Sequence, residues 1–272
     1  MTEPARRRLG TLALCLGLAA LHLILLLTAI HWVGTDAQLY YSEQMKAGIL
    51  PEAGITEADL RTVDAQLADL RTVDAQLADY LSGRDPRTDR IDDPQAWLPE
   101  ARRNAFNERE LTHLQDCLHL FDLLRRARFR LVPWAVALIL GGAWLLQDRK
   151  RARLCAWLSP LIVLVPLGIF ALYAALNFDQ AFTLFHKLLF RNDLWLLDPR
   201  TDLLIRICPE SLFRNMGIKI AATSLIAMLG LTVLAVLLTT LWPKRKEENA
   251  WKTTTRRGPA PRQYDFGSRG RR

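Results

Sequence analysis

At 272 residues the chain has room for one or two domains, and its formal net charge of +8 and 50% hydrophobic content exclude neither a membrane nor a nucleic-acid partner. A mean hydropathy of only +0.06 conceals four long apolar runs offset by polar loops, which argues against an ordinary water-soluble domain. The four cysteines, at 15, 117, 155 and 208, have neither metal nor redox spacing, so a disulfide scaffold and a cysteine metal module are excluded; a Cys117–Cys208 bridge is not expected.

The chain begins with a short basic segment, 1–8, holding Arg6, Arg7 and Arg8. The first apolar run, 9–33, is longer than a signal-peptide core and lacks an A-x-A-like cleavage site, so it reads as a retained anchor. His22 lies deep in it and reads as a neutral imidazole packed between helices; His31 falls beside Trp32 at the interface. Residues 34–128 follow as an extramembrane cap. Tyr40-Tyr41 open it, and a helix starts near Thr56, capped by Thr56 or Asp59. There LRTVDAQLAD at 60–69 recurs at 70–79. Ten residues turn the apolar stripe by about 80°, so the copies form one lengthened surface helix and not a solenoid. Ser82-Gly83 and Asp85-Pro86 end it.

A second cap helix is expected from about Asn104 to Arg126, with Phe106, Glu110, His113, Cys117, Leu120 and Leu124 on one stripe. Asp116, His119 and Asp122 form a neighbouring polar stripe. Arg125, Arg126, Arg128 and Arg130 stand where the second span, 129–147, begins, and read as interfacial side chains snorkelling to the headgroups. A basic loop, 148–153, leads to span three, 154–176, which Pro160 and Pro166 should kink. The loop 177–216 places His186 among Phe182, Phe185 and Phe190, turns at Asn192-Asp193, reaches Trp195, and turns again at Asp198-Pro199. Span four, 217–242, reads as a packing helix with Gly217 and Gly230, and the basic tail 243–272 is expected to be disordered.

The basic clusters at 6–8, 149–153 and 244–246 agree on one topology, with both termini cytoplasmic and the loops 34–128 and 177–216 facing outward together. Beside four spans, the basic tail points to anionic lipid headgroups, and no nucleic-acid partner is expected. The fold class is therefore all-α integral membrane, four transmembrane helices with a helical extracytoplasmic cap.

No Ser-x-Gly elbow, Walker loop or HExxH is present. Three readings of the histidines stand side by side. His113, His186 and Glu110 could hold one zinc ion; both histidines could merely cap polar packing at the interface; or the pair could do acid–base work. In the last reading His113 and His186 meet across one pocket. Glu110, one turn before His113, orients it, and Asn192, the amides of the 192–195 turn or the second imidazole stabilise an oxyanion. Asp116, Trp195 and Asp198 complete the expected supporting set. Acyl chains would enter from the spans, which suggests acyl transfer on a lipid.

The segments NERELTHLQDC, FTLFHKLLFRNDLWLLDPRTDLLI and PESLF, in this order among four spans, resemble the lipoprotein intramolecular transacylase family. The resemblance implies a bacterial cell-membrane enzyme with its site at the outer face. Its substrates would be diacylglyceryl-modified lipoproteins, and it would work without cofactor or metal. The sn-2 acyl chain would move from glycerol oxygen to the N-terminal cysteine amine, giving the lyso-form, with His113 and His186 as the catalytic pair and no assignment of which is base. The duplicated helix, the arginine-rich tail, Cys117 and Cys208 depart from the family's pattern. The rival reading is a non-catalytic lipid- or lipoprotein-binding membrane protein. Oligomeric state and chain-length preference are not legible.

Overall fold

The computed structural model describes residues 1–49, 56–58, 61 and 106–241. The duplicated 60–79 segment (apart from Arg61), most of the cap between 50 and 105, and the tail 243–272 lie outside the described residues.

The described chain is all helix: α1 (Glu3–Gly34), α2 (Ala37–Lys46), α3 (Glu108–Leu146), α4 (Arg149–Leu158), α5 (Leu161–Leu176), α6 (Phe178–Leu189), α7 (Leu203–Ile207) and α8 (Glu210–Leu238), closed by a 3-10 turn at Thr239–Leu241. No strand occurs among the described residues. Four stretches are long and apolar enough to cross a membrane: Glu3–Gly34, Glu108–Leu146, Arg149–Leu176 and Glu210–Leu241. Pro160 interrupts the third at the α4–α5 joint, while Pro166 is carried inside α5.

The bundle is turned inside out relative to a soluble one. Its outer surface carries Trp134, Leu140, Trp144, Ile169, Leu176 and Ile226, and α5 buries no residue at all. Polar groups lie inside: Ser159, Ser224, Thr232 and His22 are buried. His22 Nδ1–H donates to the Leu18 carbonyl at 2.7 Å, and Nε2 lies 3.1 Å from the Thr232 hydroxyl, which ties α1 to α8. Such intramembrane pairs are worth about 0.6 kcal/mol each. His31 packs edge-on against Phe121, ring centres 6.5 Å apart, while neighbouring Trp32 takes the lipid-facing position.

α1 and α3 run antiparallel in close contact, and glycines make the approach possible. A Cβ on Gly142 would stand 2.5 Å from the Leu14 backbone nitrogen, and one on Gly10 would stand 2.7 Å from that of Leu146. Gly217 and Gly230, expected to pack span four, have nothing within 4 Å of such an atom; α8 instead buries Leu212, Met216, Ser224, Met228 and Thr232.

The same register locates the site. Gly34, at the end of the apolar run of α1, sits against Phe121, and Gly10 sits against Leu146, so the spanning part of α3 is roughly 121–146. The Asp36–Lys219 ion pair, 3.1 Å, marks the same level on α1 and α8. α3, expected as two helices meeting near residue 128, is continuous over 39 residues, and its first 13, Glu108 to Leu120, project beyond that level. They start from an Asn107–Glu110 capping box. The projecting turns pack with Tyr40, Leu203, Leu204, Ile207 and Leu212 into a small apolar core at that end of the bundle.

The buried stripe of α3 also departs from expectation. It follows Glu110, His113 and Leu114, then passes to Leu118, Asp122, Arg125 and Arg128, leaving Cys117, Leu120 and Leu124 half-buried. Asp122, expected on a neighbouring polar stripe, is buried between Arg125 at 2.6 Å and Arg126 at 2.6 Å. Arg125 and Arg128 are buried as well and do not snorkel; Arg126 and Arg130 keep more contact with the surroundings. No disulfide joins the cysteines.

Candidate active site

Two helices bring two imidazoles together. α3 offers His113 about two turns before Phe121. α6 starts at an Asn177 cap, whose side chain accepts from the Gln180 amide at 3.4 Å, and turns only Ala181 and His186 inward. Leu184, Phe185, Leu188 and Leu189 stay exposed, so α6 is an amphipathic helix of the kind that lies along a membrane surface.

The His113 and His186 rings are 6.1 Å apart centre to centre, and each side chain is less than a tenth exposed: 7% and 8%. Aromatic rings enclose them. His186 is 4.1 Å from Phe182, 5.0 Å from Trp195, 5.4 Å from Phe185 and 5.7 Å from Phe190. His113 meets Phe190 edge-on at 5.1 Å.

The hydrogen bonds fix the tautomer of one ring. His186 Nδ1 lies 2.8 Å from the Phe182 carbonyl. A carbonyl only accepts, so Nδ1 carries the proton and Nε2 presents a lone pair. His113 Nε2 lies 3.7 Å from the Cys117 thiol, and its Nδ1 is buried with no partner. Burial pushes the Cys117 thiol up to about 12, so it keeps its proton, and a thiol donates better than its sulfur accepts. Nε2 therefore accepts from the thiol and Nδ1–H is the free donor. Burial also pulls His113 down to about 4, His186 adds to the shift and Asp116 opposes it. His186 is lowered too, again by burial, against the Phe182 carbonyl. Both rings are neutral at physiological pH.

Glu110 does not orient His113. Its two carboxylate oxygens accept from the Leu204 amide at 2.6 Å and the Asn107 amide at 2.8 Å. Burial raises its pKa while these amides oppose the rise. This also removes the third ligand of the zinc alternative, and among the described residues no three His, Cys, Asp or Glu side chains converge on a metal-binding geometry.

The other expected residues serve the loop after α6. Asn192 donates to Asp116 at 2.8 Å and accepts from the Leu194 amide at 3.2 Å, which ties its side chain to the loop. Asp198 grips Arg200 at 2.7 Å, which lowers its pKa, and shapes the turn at Pro199. Trp195 is 7% exposed and its indole Nε1 is buried without a partner. An unpaired buried donor costs about 1–3 kcal/mol, and the Trp195 and His113 donors are two such orphans held beside His186.

Sequence reading missed Asn107 and Asp202. Asn107 donates to Asp202 at 2.8 Å, and Asp202 also accepts from the Asp198 amide at 2.8 Å and the Thr201 hydroxyl at 3.0 Å. The Arg109 guanidinium reaches the Asp193 carbonyl at 3.0 Å. Asn107, Arg109, Glu110 and Asp116 thus fasten the 192–204 loop to the projecting turns of α3. The Asn-x-x-Glu capping signature at 107–110 was the available signal.

Comparison with known proteins follows the same outline. No curated protein matches the chain. The in meso structure of the membrane integral lipoprotein intramolecular transacylase Lit from Bacillus cereus superposes with a TM-score of 0.53 at 22% identity, over 87% of this chain and 95% of that one. The same Bacillus cereus protein with a histidine replaced by arginine gives 0.55 at 22% identity, over 87% and 91%. The family profile described as lipoprotein intramolecular transacylase Lit matches residues 15–213, from within the first span, through both histidine segments, to the start of the fourth. By that match the chain belongs to the lipoprotein intramolecular transacylase Lit family, and it is an integral membrane protein.

Proposed function

We propose that this protein transfers the sn-2 acyl chain of an S-diacylglyceryl lipoprotein from its glycerol oxygen to the α-amine of the same N-terminal cysteine, giving the lyso-form. The observation that carries the reading is the buried His113–His186 pair, 6.1 Å between ring centres, with His186 Nδ1 bound to the Phe182 carbonyl. At that spacing one ester can lie against both rings.

His186 Nε2 takes a proton from the attacking amine. The amine nitrogen bonds to the ester carbon, and the tetrahedral intermediate collapses by breaking the bond to the glycerol oxygen. His186 then delivers the same proton to that oxygen, so the charge balances and neither histidine is consumed. His113 Nδ1–H polarises the carbonyl without giving up its proton. A free α-amine titrates near 8, so a sizeable fraction is already nucleophilic at neutral pH and a modest base suffices. Amine and ester share one molecule, and holding them together is worth about 7–11 kcal/mol of barrier in well-oriented systems. The site residues require no metal or cofactor for this step.

His113 is eight residues along α3 from Phe121, about 12 Å at the helical rise, which suits an ester in the glycerol layer of a bilayer. We place both termini in the cytoplasm and the site at the outer face, on the strength of Arg6, Arg7 and Arg8 before α1 and Arg149, Lys150, Arg151 and Arg153 on α4. Mass spectra of lipoprotein N-termini test the reaction. Cells with the protein should carry N-acyl, mono-acylglyceryl cysteine, and cells without it should not. His186→Asn should lose transfer by 10³-fold or more, and His113→Phe by 10²-fold or more, with expression intact. An acyl chain that stays on glycerol in the wild type would leave lipoprotein binding without catalysis.

A further inference from the structure

The oxyanion of the proposed reaction needs donors, and Asn192 and the amides of the 192–195 turn were expected sources beside the second imidazole. The structure commits two of that turn's donors elsewhere. The Asn192 amide group is bound to Asp116, and the Leu194 amide to Asn192. The turn also holds a side-chain donor that is buried without a partner, the Trp195 indole Nε1, whose ring lies 5.0 Å from that of His186.

We propose that the Trp195 indole N–H is the second oxyanion donor, binding the ester carbonyl oxygen as it becomes the tetrahedral O⁻ and sharing it with His113 Nδ1–H; this rests on the acyl-transfer reading above. The chemistry of the indole suits the task. It is donor-only and does not titrate, so it stabilises negative charge without entering the proton transfer that His186 runs. Its position is set by the loop, since the Leu197 amide donates to the Trp195 carbonyl at 3.0 Å and Arg109 holds the Asp193 carbonyl at 3.0 Å. A donor fixed before the reaction need not reorganise during it, which is the property that gives such groups their effect.

The test replaces Trp195 with 3-benzothienylalanine, which keeps the bicyclic shape and exchanges the N–H for sulfur. The substrate is a synthetic S-diacylglyceryl cysteine peptide with a free α-amine, and transfer is followed by mass spectrometry on the full-length protein in bilayers. The expected result is a kcat lower by about 10²-fold or more, with KM, Tm and the shape of the pH profile unchanged. The same replacement at Trp134, which is 69% exposed, should leave kcat as it is. Wild-type kcat in the Trp195 isostere overturns the proposal while the transacylase reading stands. A fall in Tm or a rise in KM with kcat retained makes Trp195 structural and overturns it too. Should the isostere fail to fold, Trp195→Phe takes its place under the same criteria. Absence of transfer in the wild type sinks the underlying reading, and the proposal with it.

Discussion

His186 takes its tautomer from a backbone carbonyl of its own helix, and no other residue need be present for Nε2 to be the basic atom. That local origin is why His186 was legible in the sequence, where Phe182 stands four residues before it. The role of Glu110 was not legible, because its partner amide belongs to Leu204, 94 positions away. Adjacent spacing pointed to His113, and a helical i, i+3 pair only permits contact. The pH dependence follows from the two lowered imidazoles. Since His113 sits near 4 and burial lowers His186 below its ordinary value, neither should limit the rate above the ordinary imidazole value. The acid limb of kcat/KM should fall about tenfold per unit below the substrate amine's value near 8, and a break at the ordinary imidazole value in a pH–rate profile would contradict this. For stability the sign is the same. The unfolded chain binds these protons near 6.5 and the folded one resists them, so stability present above 6.5 is lost as pH falls toward 4. Thermal unfolding across that window, in wild type and His113→Phe, checks it.

The four apolar helices were legible because composition alone sets them, whereas their true lengths were not. α3 runs on past the point where charged residues begin, since Arg, Glu and Leu all favour helix and the Asn107 box gives it a start. Its burial stripe shifts after Leu114 because the projecting turns face the α7 core and the later turns face α1, and a single-stripe reading cannot see a change of partner. The glycines show the same limit: sequence cannot tell Gly142, which touches a neighbouring backbone, from Gly141, which touches nothing. Gly142→Ala should cost about 1–3 kcal/mol by forcing α1 and α3 apart, while Gly141→Ala should be neutral or slightly favourable; unfolding temperatures in one detergent decide it. Glu110→Ala leaves the buried amide of Leu204 and the part-buried amide of Asn107 unpaired and should cost roughly 3 kcal/mol, with Glu110→Gln costing less. If Glu110 acted on His113 instead, Glu110→Gln would alter the pH profile with Tm unchanged.

At the scale of the whole molecule, the arrangement of spans was readable from hydropathy, arginine and lysine placement supports the sidedness proposed above, and His113 and His186 were expected to meet, but the geometry that joins the two loops was not legible. It depends on long-range fastenings such as Asn107–Asp202 and Arg109–Asp193 that leave no periodic trace. Sidedness can be checked directly. In a background with the four native cysteines replaced, an impermeant thiol reagent applied to intact cells should label a cysteine at Arg191, on the site loop, and not one at Lys150; the reverse pattern would invert the topology. One consequence follows from α3 being unbroken from Glu108 to Leu146. A hydrogen-bonded rod does not shorten, so the imidazole it carries stands at a fixed altitude over the hydrocarbon. A lipidated substrate is itself floated to a set depth by its fatty tails. Reagent and reactive centre are thus levelled by the same oil–water boundary, and the bilayer acts as the jig that aligns them.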